Sequence, residues 1–521
     1  MGFGDGVGPA DCRKIKRRPN LLQRVMVRKL LAILFFQCIL CTAFAANYLT
    51  FTAEMDEAKF QITGSSNVEY SLDDGATWTA MKALQWVILE HEGDKALLRG
   101  ENPNGFNQSN TNYYVSFSLS GRIAASGSVM SLIDGVGEST VIPNDYCFSC
   151  LFYDCDGLTQ APELPATELK RGCYERMFYS CSDLTQTPEL PAEKLAIECY
   201  RNMFSECRRL AQSSKLPALV LAPDCYMSMF ESCDSLKQAP ELPAENMKDG
   251  CYDHMFFRCT NLTQAPELPA TYLSDACYRS MFQECTSLTQ APKLPATNLS
   301  KSCYMNMFCG CTRLTQAPEL PSTKMYNSCY AGMFIDCISL TQAPALPATE
   351  LYDHCYDRMF WGCTNLTQAP ELSATKIEDY SCYQLFEDCT SLSRIKVNFT
   401  EWNRWGQGTD YWVNHVAPTG TFICPKELPI EYGSSRIPEG WNVVYIGEDN
   451  AVEDIDNENN RVWAEDLNLY VCYAGDVEIY GLNGKQIYKG HGDVDSPMCL
   501  SMPAHGVYVV KMGGKVSKVE L

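Results

Sequence analysis

Between about residues 145 and 392 the apolar positions of this chain recur every 26 residues. One copy reads Ala166-Thr167-Glu168-Leu169-Lys170-Arg171-Gly172-Cys173-Tyr174-Glu175-Arg176-Met177-Phe178-Tyr179-Ser180-Cys181, with Leu169, Cys173, Tyr174, Met177, Phe178 and Cys181 apolar. Steps of four with neighbours at i+5 and i+9 fall on one face of a short helix. Thr167, after Pro165-Ala166, suits its N-cap. The other half, Leu158-Thr159-Gln160-Ala161-Pro162-Glu163-Leu164, reads as extended. Proline supplies no N–H, so a stacked Pro162 column interrupts a parallel ladder and limits the strand to a few residues. Self-similarity at this period marks a stacked architecture. The predicted fold is an α/β repeat solenoid of short strand plus short helix, flanked by small all-β domains.

Several columns are uniform through the copies. The phenylalanine column runs unbroken from Phe152 to Phe386, and the methionine column ends in Leu151 and Leu385, as atypical terminal repeats do. The glutamines from Gln160 to Gln368 suit amides that bond from rung to rung. Glu163, Glu189, Glu241, Glu267, Glu319 and Glu371 form an acidic edge, and Lys215 and Lys293 relieve its repulsion. The last copy is slipped by one residue at Ser381-Cys382-Tyr383.

The flanks break the period. Residues 46–142 alternate like strands, in Asn47-Tyr48-Leu49-Thr50-Phe51 and around Phe117. Ser71-Leu72-Asp73-Asp74-Gly75-Ala76-Thr77-Trp78 matches the Asp-box hairpin, which is structural rather than catalytic. The repeat block is assigned to 143–395. Residues 396–446, with Trp402, Trp405, Tyr411, Trp412 and Trp441, read as its cap, and 447–460 as an acidic linker. Residues 461–521 contain two strands around Asn483-Gly484, in a sandwich-like tail. At the other end, basic residues Arg13 to Lys29 precede the apolar run Leu30–Ala45, which closes in Ala43-Phe44-Ala45. This is the layout of a secretory signal peptide over 1–45, with Met26 an alternative start. A secreted or cell-surface protein is expected.

Charge narrows the partners. Removing the eight basic and two acidic residues of 1–45 from the chain's 42 and 63 leaves 34 and 61, a net charge of −27. That opposes nucleic acid and favours cationic partners. Twenty of the 28 cysteines fall in two columns, Cys147 to Cys355 with Cys382, and Cys155 to Cys389. Periodic apolar columns read as core, where free cysteine packs as a small hydrophobe. On a helix, cysteines eight apart lie roughly 12 Å apart, too far to bridge. In an extended segment, rungs close to about 4.8 Å and bridges become feasible.

Comparison among the copies isolates positions that vary. Glu175, Arg176, Tyr179, Arg201, Asn202, Asp253, His254, Phe257, Arg258, Arg279, Asp357, Arg358 and Trp361 are expected on the exposed helix face, either as a recognition surface or as unconstrained drift. No H-E-x-x-H, G-x-S-x-G, Walker or dinucleotide pattern occurs. Cys147-Phe148-Ser149-Cys150 and Cys309-Gly310-Cys311 lack the context of a redox or zinc site. Catalytic residues, a metal and a cofactor are therefore not expected.

The Met177-Phe178-Tyr179-Ser180-Cys181-Ser182-Asp183-Leu184 unit resembles the BspA-type leucine-rich repeats of bacterial surface proteins, over roughly 145–395. The last residues, with Asn483-Gly484-Lys485, Gly506-Val507-Tyr508-Val509-Val510, Lys515 and Lys518, resemble a type IX secretion sorting tail. These resemblances imply leucine-rich-repeat-like units, an adhesive or binding role towards host proteins or glycans, and attachment at an outer membrane or cell surface. The alternatives are a structural spacer or surface-layer component and, more distantly, a glycan-acting enzyme sited in 46–142. Ligand and oligomeric state stay open.

Overall fold

The computed structural model describes residues 46–64, 66–107, 114–403 and 407–446. In the C-terminal part it describes 461–465, 468–473, 475–481, 485–492, 498–502, 507–512 and 515–520. The signal segment 1–45, the linker 447–460, Trp405 and the Asn483-Gly484 turn lie outside the described residues.

Alternation of buried and half-buried residues builds the N-terminal strands β1 (Leu49–Ala53) and β2 (Ala58–Ile62). They are followed by β3 (Val68–Ser71), β4 (Thr79–Ala80), β5 (Val87–Leu89), β6 (Lys95–Gly100), β7 (Phe117–Ser120) and β8 (Ile123–Ser126). A single turn of helix, α1 (Ser131–Asp134), is the one α-helix among the described residues, and β9 (Leu158–Gln160) follows it. One sheet has the order β4-β3-β6-β1-β8-β9 and a second the order β5-β2-β7. The Asp-box turn joins β3 to β4. The Asp73 carboxylate accepts from the Thr77 N–H (2.8 Å) and hydroxyl (2.6 Å) and from the Ser71 hydroxyl (2.7 Å), which hold it down at about 2. Trp78 lies under the Arg99 guanidinium, 4.0 Å from its centre.

The repeats correct the predicted fold class. No helix forms in them, and the chain is not an α/β solenoid of strand-plus-helix units. Each segment expected to be helical is a ribbon of consecutive turns. Cys173, Glu175, Met177, Tyr179 and Cys181 donate their N–H three residues back within the rung, at 3.0–3.3 Å. The residues between them donate to the next rung: Tyr174 to the Cys199 carbonyl, Arg176 to Arg201, Phe178 to Met203 and Ser180 to Ser205, at 2.8–3.0 Å. Every fourth residue is left-handed, as at Gly172 (φ 55°), Arg176 (φ 51°) and Ser180 (φ 60°). Each non-glycine residue in that region costs about 1–2 kcal/mol. Each repeat of four residues also makes four backbone bonds worth about 1 kcal/mol net apiece, so the ribbon prevails. With no helix to cap, Thr167 instead donates its backbone N–H to the Thr140 carbonyl at 2.9 Å.

The proline half is likewise reduced to single-residue parallel bridges, such as Gln186 with Gln212, Gln238 with Gln264 and Gln290 with Gln316. The glutamine side chains are exposed, so it is the backbone that links the rungs there.

Two aromatic columns fill the core. Phenylalanines from Phe152 to Phe386 stack one rung apart with ring centroids 5.4–5.8 Å apart. Tyrosines from Tyr174 to Tyr356 do so at 5.7–6.2 Å. Both spacings suit offset stacking, worth about 0.5–1.5 kcal/mol per pair beyond burial. The second cysteine column explains its own residue type. Each thiol donates to the phenylalanine carbonyl of the preceding rung, as Cys181 to Phe152 (3.1 Å), Cys233 to Phe204 (3.2 Å) and Cys389 to Phe360 (3.0 Å). The column cysteines are free thiols. The rungs are close, but these sulfurs point at carbonyls rather than at one another.

Both ends of the stack imitate a rung. Parallel pairing of β8 with β9 joins the N-terminal sheet to the first repeat. Phe117 of β7 stands where a column phenylalanine would, stacking on Phe152 at 5.5 Å and accepting the Cys155 thiol at 3.3 Å. At the other end the expected slip does not occur. The Tyr356 N–H meets the Ser381 carbonyl and that of Phe360 meets Leu385, so Ser381 occupies the cysteine column and Cys382 the tyrosine column in unbroken register. A degenerate rung then covers it, with the Phe386 N–H donating to the Trp412 carbonyl (2.8 Å) and Trp412 fully buried. Parallel strands β10 (Arg394–Lys396), β11 (Thr421–Cys424) and β12 (Asn442–Tyr445) close this end.

The tail contains β13 (Arg461–Glu465), β14 (Asn468–Cys472), β15 (Gly475–Gly481), β16 (Gln486–Gly492), β17 (Met498–Ser501), β18 (Val507–Met512) and β19 (Lys515–Glu520). They form sheets of order β13-β14-β17 and β16-β15-β18-β19 around a separate core that includes Leu469, Val471, Ile479 and Val510.

The left-handed positions yield a prediction. Asn202 (φ 51°) replaced by valine should lose about 1–2 kcal/mol in denaturant unfolding, whereas Asn202→Gly should be neutral or stabilising. A helix would reverse this order, because glycine is the poorer helix residue.

Candidate functional site

The variable residues lie on the turns, and most of them are engaged with one another. Glu198 accepts from Arg171 at 3.0 Å and Arg201 at 3.3 Å. Asp253, 1% exposed, holds the Arg279 Nε at 3.0 Å and the His254 Nδ1 at 2.6 Å. Arg258 donates to Glu284 at 2.8 Å, and its guanidinium sits 4.9 Å from the Phe257 ring. Arg358 donates to the Gln384 side-chain oxygen at 2.7 Å. His354 meets Asp357 at 2.9 Å. Trp361 donates to Asp388 at 3.0 Å, and Tyr179 stacks on Tyr153 at 5.0 Å.

This arrangement corrects the expectation of an exposed helix face. Glu175 and Asp253 are buried, and Arg176, Asn202, His254, Arg258 and Arg358 occupy left-handed turn positions. These positions vary within a conformational rule. The three left-handed columns are filled mainly by Gly, Ser, Asn, Asp and His, with some Glu, Arg and others, and among the described residues no β-branched residue enters them. Most rim pairs join adjacent rungs, so the charges lock the stack laterally.

Glu175 stands outside these pairs. It is 2% exposed and its Oε2 has no hydrogen-bond partner. Burial raises its carboxyl above the usual range, against the pull of Arg176 and Arg201. Burial also raises Asp224 and Asp357.

The chemistry of the remaining clusters is limited. Burial pushes the column thiols up, to about 12 at Cys147, Cys329 and Cys382, which disfavours the nucleophilic thiolate. Glu387, Asp388 and His415 bring three donor atoms within 4.8 Å of one another. Their carboxylates are already committed, Glu387 to Asn414 (2.7 Å) and Gln384, Asp388 to Trp361 and to His415 (2.7 Å). That is a hydrogen-bonded cluster rather than a vacant coordination sphere.

Open grooves also mark the surface of the described residues, and two of them reach about 830 Å³ or more. One, of about 870 Å³, lies beside the first repeats. Its arginines are paired, Arg122 with Glu54 (3.4 Å) and Arg209 with Asp183 (2.8 Å). The second, of about 830 Å³, is cut between the rungs that carry Tyr352 and Tyr380. Tyr352, 48% exposed, stacks on Tyr326 (44%) at 6.3 Å, and Tyr380 stacks on His354 at 4.7 Å. The sequence reading missed this groove. Its signal was the appearance of Tyr326 and Tyr352 in a column that elsewhere holds Lys170, Ala196, Ala222, Lys248, Ser274 and Ser300.

No helix among the described residues is long and apolar enough to cross a membrane. No protein-family model matches this chain, and no curated protein matches it.

Glu175 provides a pH test. A carboxyl raised by burial favours its protonated form in the fold. That contribution is complete below the unfolded value near about 4.3 and is lost as pH rises through the folded value. Glu175→Gln should therefore raise the unfolding free energy at about pH 7, by on the order of 1 kcal/mol in denaturant titration, and change it little at about pH 4. Equal effects at both pH values would mean that the arginines already neutralise the buried charge.

Proposed function

We propose that this chain is a secreted or cell-surface binding module, whose stacked rungs form a rigid support for recognition of host proteins or glycans, without catalysis. The observation that carries this reading is the groove where the exposed Tyr352 and the half-buried Tyr380 stand on a backbone fixed from rung to rung. Surface aromatics serve binding more than folding, and a rigid scaffold loses little entropy on association. The resemblance of the Met-Phe-x-x-Cys unit to BspA-type surface proteins, the signal-like segment and the tail with its sorting-signal pattern point the same way. The column thiols, held protonated by burial, and the Asp73 carboxylate, saturated by its own turn, supply no reactive group.

A spacer without a ligand is the second reading. It is favoured by the rim itself, where Arg279 with Asp253 and Arg258 with Glu284 pair across rungs and so satisfy each other's charge.

The full chain immobilised against an array of glycans and extracellular-matrix proteins decides between them. Saturable binding of one class, without consumption of the ligand, is the expected outcome. Absence of any saturable ligand would favour the spacer, and turnover would overturn both.

A further inference from the structure

The groove between the last regular rungs has a chemical character of its own. Glu350, Asp353, Glu378 and Asp379 all line it and all are exposed, against the single Lys376. Glu350 and Glu378 have no side-chain hydrogen bond or ion pair among the described residues. Asp379 accepts from the Asn403 amide at 3.2 Å, and Asp353 lies 3.7 Å from the His354 ring. Between these carboxylates stand the faces of Tyr352 and Tyr380, stacked on Tyr326 and His354 and fixed by the turns that carry them. Some acidic groups on other turns meet an arginine on a neighbouring turn or rung, as Glu198 meets Arg171 and Glu284 meets Arg258. Among the described residues no arginine lines this groove.

Carboxylates beside flat aromatic faces are complementary to a guanidinium. Its plane stacks on tyrosine while its N–H groups bond carboxylates in pairs. The net charge of −21 for the whole chain draws such a partner in. At about 830 Å³ the groove is within the range that holds a ligand of several residues' side chains. We propose that this groove binds an extended, arginine-bearing segment of a basic protein partner, with guanidinium groups on Tyr352 and Tyr380 and against Glu350 and Glu378. This deepens the binding-module reading and rests on it.

The test uses the full chain and three fluorescent probes: a hexa-arginine peptide, a hexa-glutamate peptide and neutral maltohexaose. Hexa-arginine should bind saturably and with one site, weaken as salt rises, and lose about tenfold in affinity in Tyr352→Ala and in the pair Glu350→Gln with Glu378→Gln. The pair Glu163→Gln with Glu189→Gln removes equal charge from the exposed glutamate edge and should change binding little. Unaltered circular dichroism in each variant separates a lost site from a lost fold. Equal losses in both glutamine pairs would reduce the effect to diffuse charge and overturn the proposal. Preference for maltohexaose, abolished by Tyr352→Ala, would overturn the cationic assignment and keep the binding module. An array ligand whose binding ignores every groove variant would do the same. Failure of all probes together with an empty array would overturn both.

Discussion

Every level of this structure depends on one backbone arrangement: alternate N–H groups bonding within a turn and to the next rung. It requires a left-handed residue at each fourth position, and the chain supplies one at Gly172, Arg176 and Ser180 and at their equivalents. The strain is offset by bonds in two directions, so a rung is stable only in the company of its neighbours. This explains why both ends are closed by imitation rungs, Phe117 at one and Trp412 at the other. An exposed terminal ribbon would leave a row of unpaired N–H and C=O groups.

The side-chain columns follow from that backbone. Strict stacking brings identical residues into contact, which favours groups that pack on themselves. Phenylalanine and tyrosine do so by offset stacking, and cysteine does so with a thiol that reaches the carbonyl behind it. Charges cannot repeat in this way without repulsion. Some rim charges are therefore offset by a partner on the same or the next rung, Glu198 by Arg201 and Asp253 by Arg279, while the groove at Tyr352 and Tyr380 sets its carboxylates beside aromatic rings.

Much of this was legible before the structure. The 26-residue period, the buried columns, the atypical ends and the Asp-box turn all follow from residue types and spacing. The helix did not survive, because apolar residues at i and i+4 suit a helix and a four-residue turn ribbon equally. The discriminating sign is arithmetical: Leu169, Cys173, Met177 and Cys181 keep a spacing of four where a helix would drift at 3.6 per turn. A second sign is compositional, since Gly, Asn, Asp, Ser and His collect at the fourth positions and β-branched residues avoid them. The variable residues were recognisable as variable, but not as turn residues bound to their neighbours. The groove was hidden because its tyrosines come from different columns, which only the turn geometry brings together.

Far-UV circular dichroism of the full chain tests the turn ribbon most directly. The account predicts a spectrum of strands and turns without the paired helical minima, because the one helix among the described residues is a single turn at Ser131–Asp134. A strong helical signal that melts with the repeats would contradict it and restore the strand-plus-helix unit.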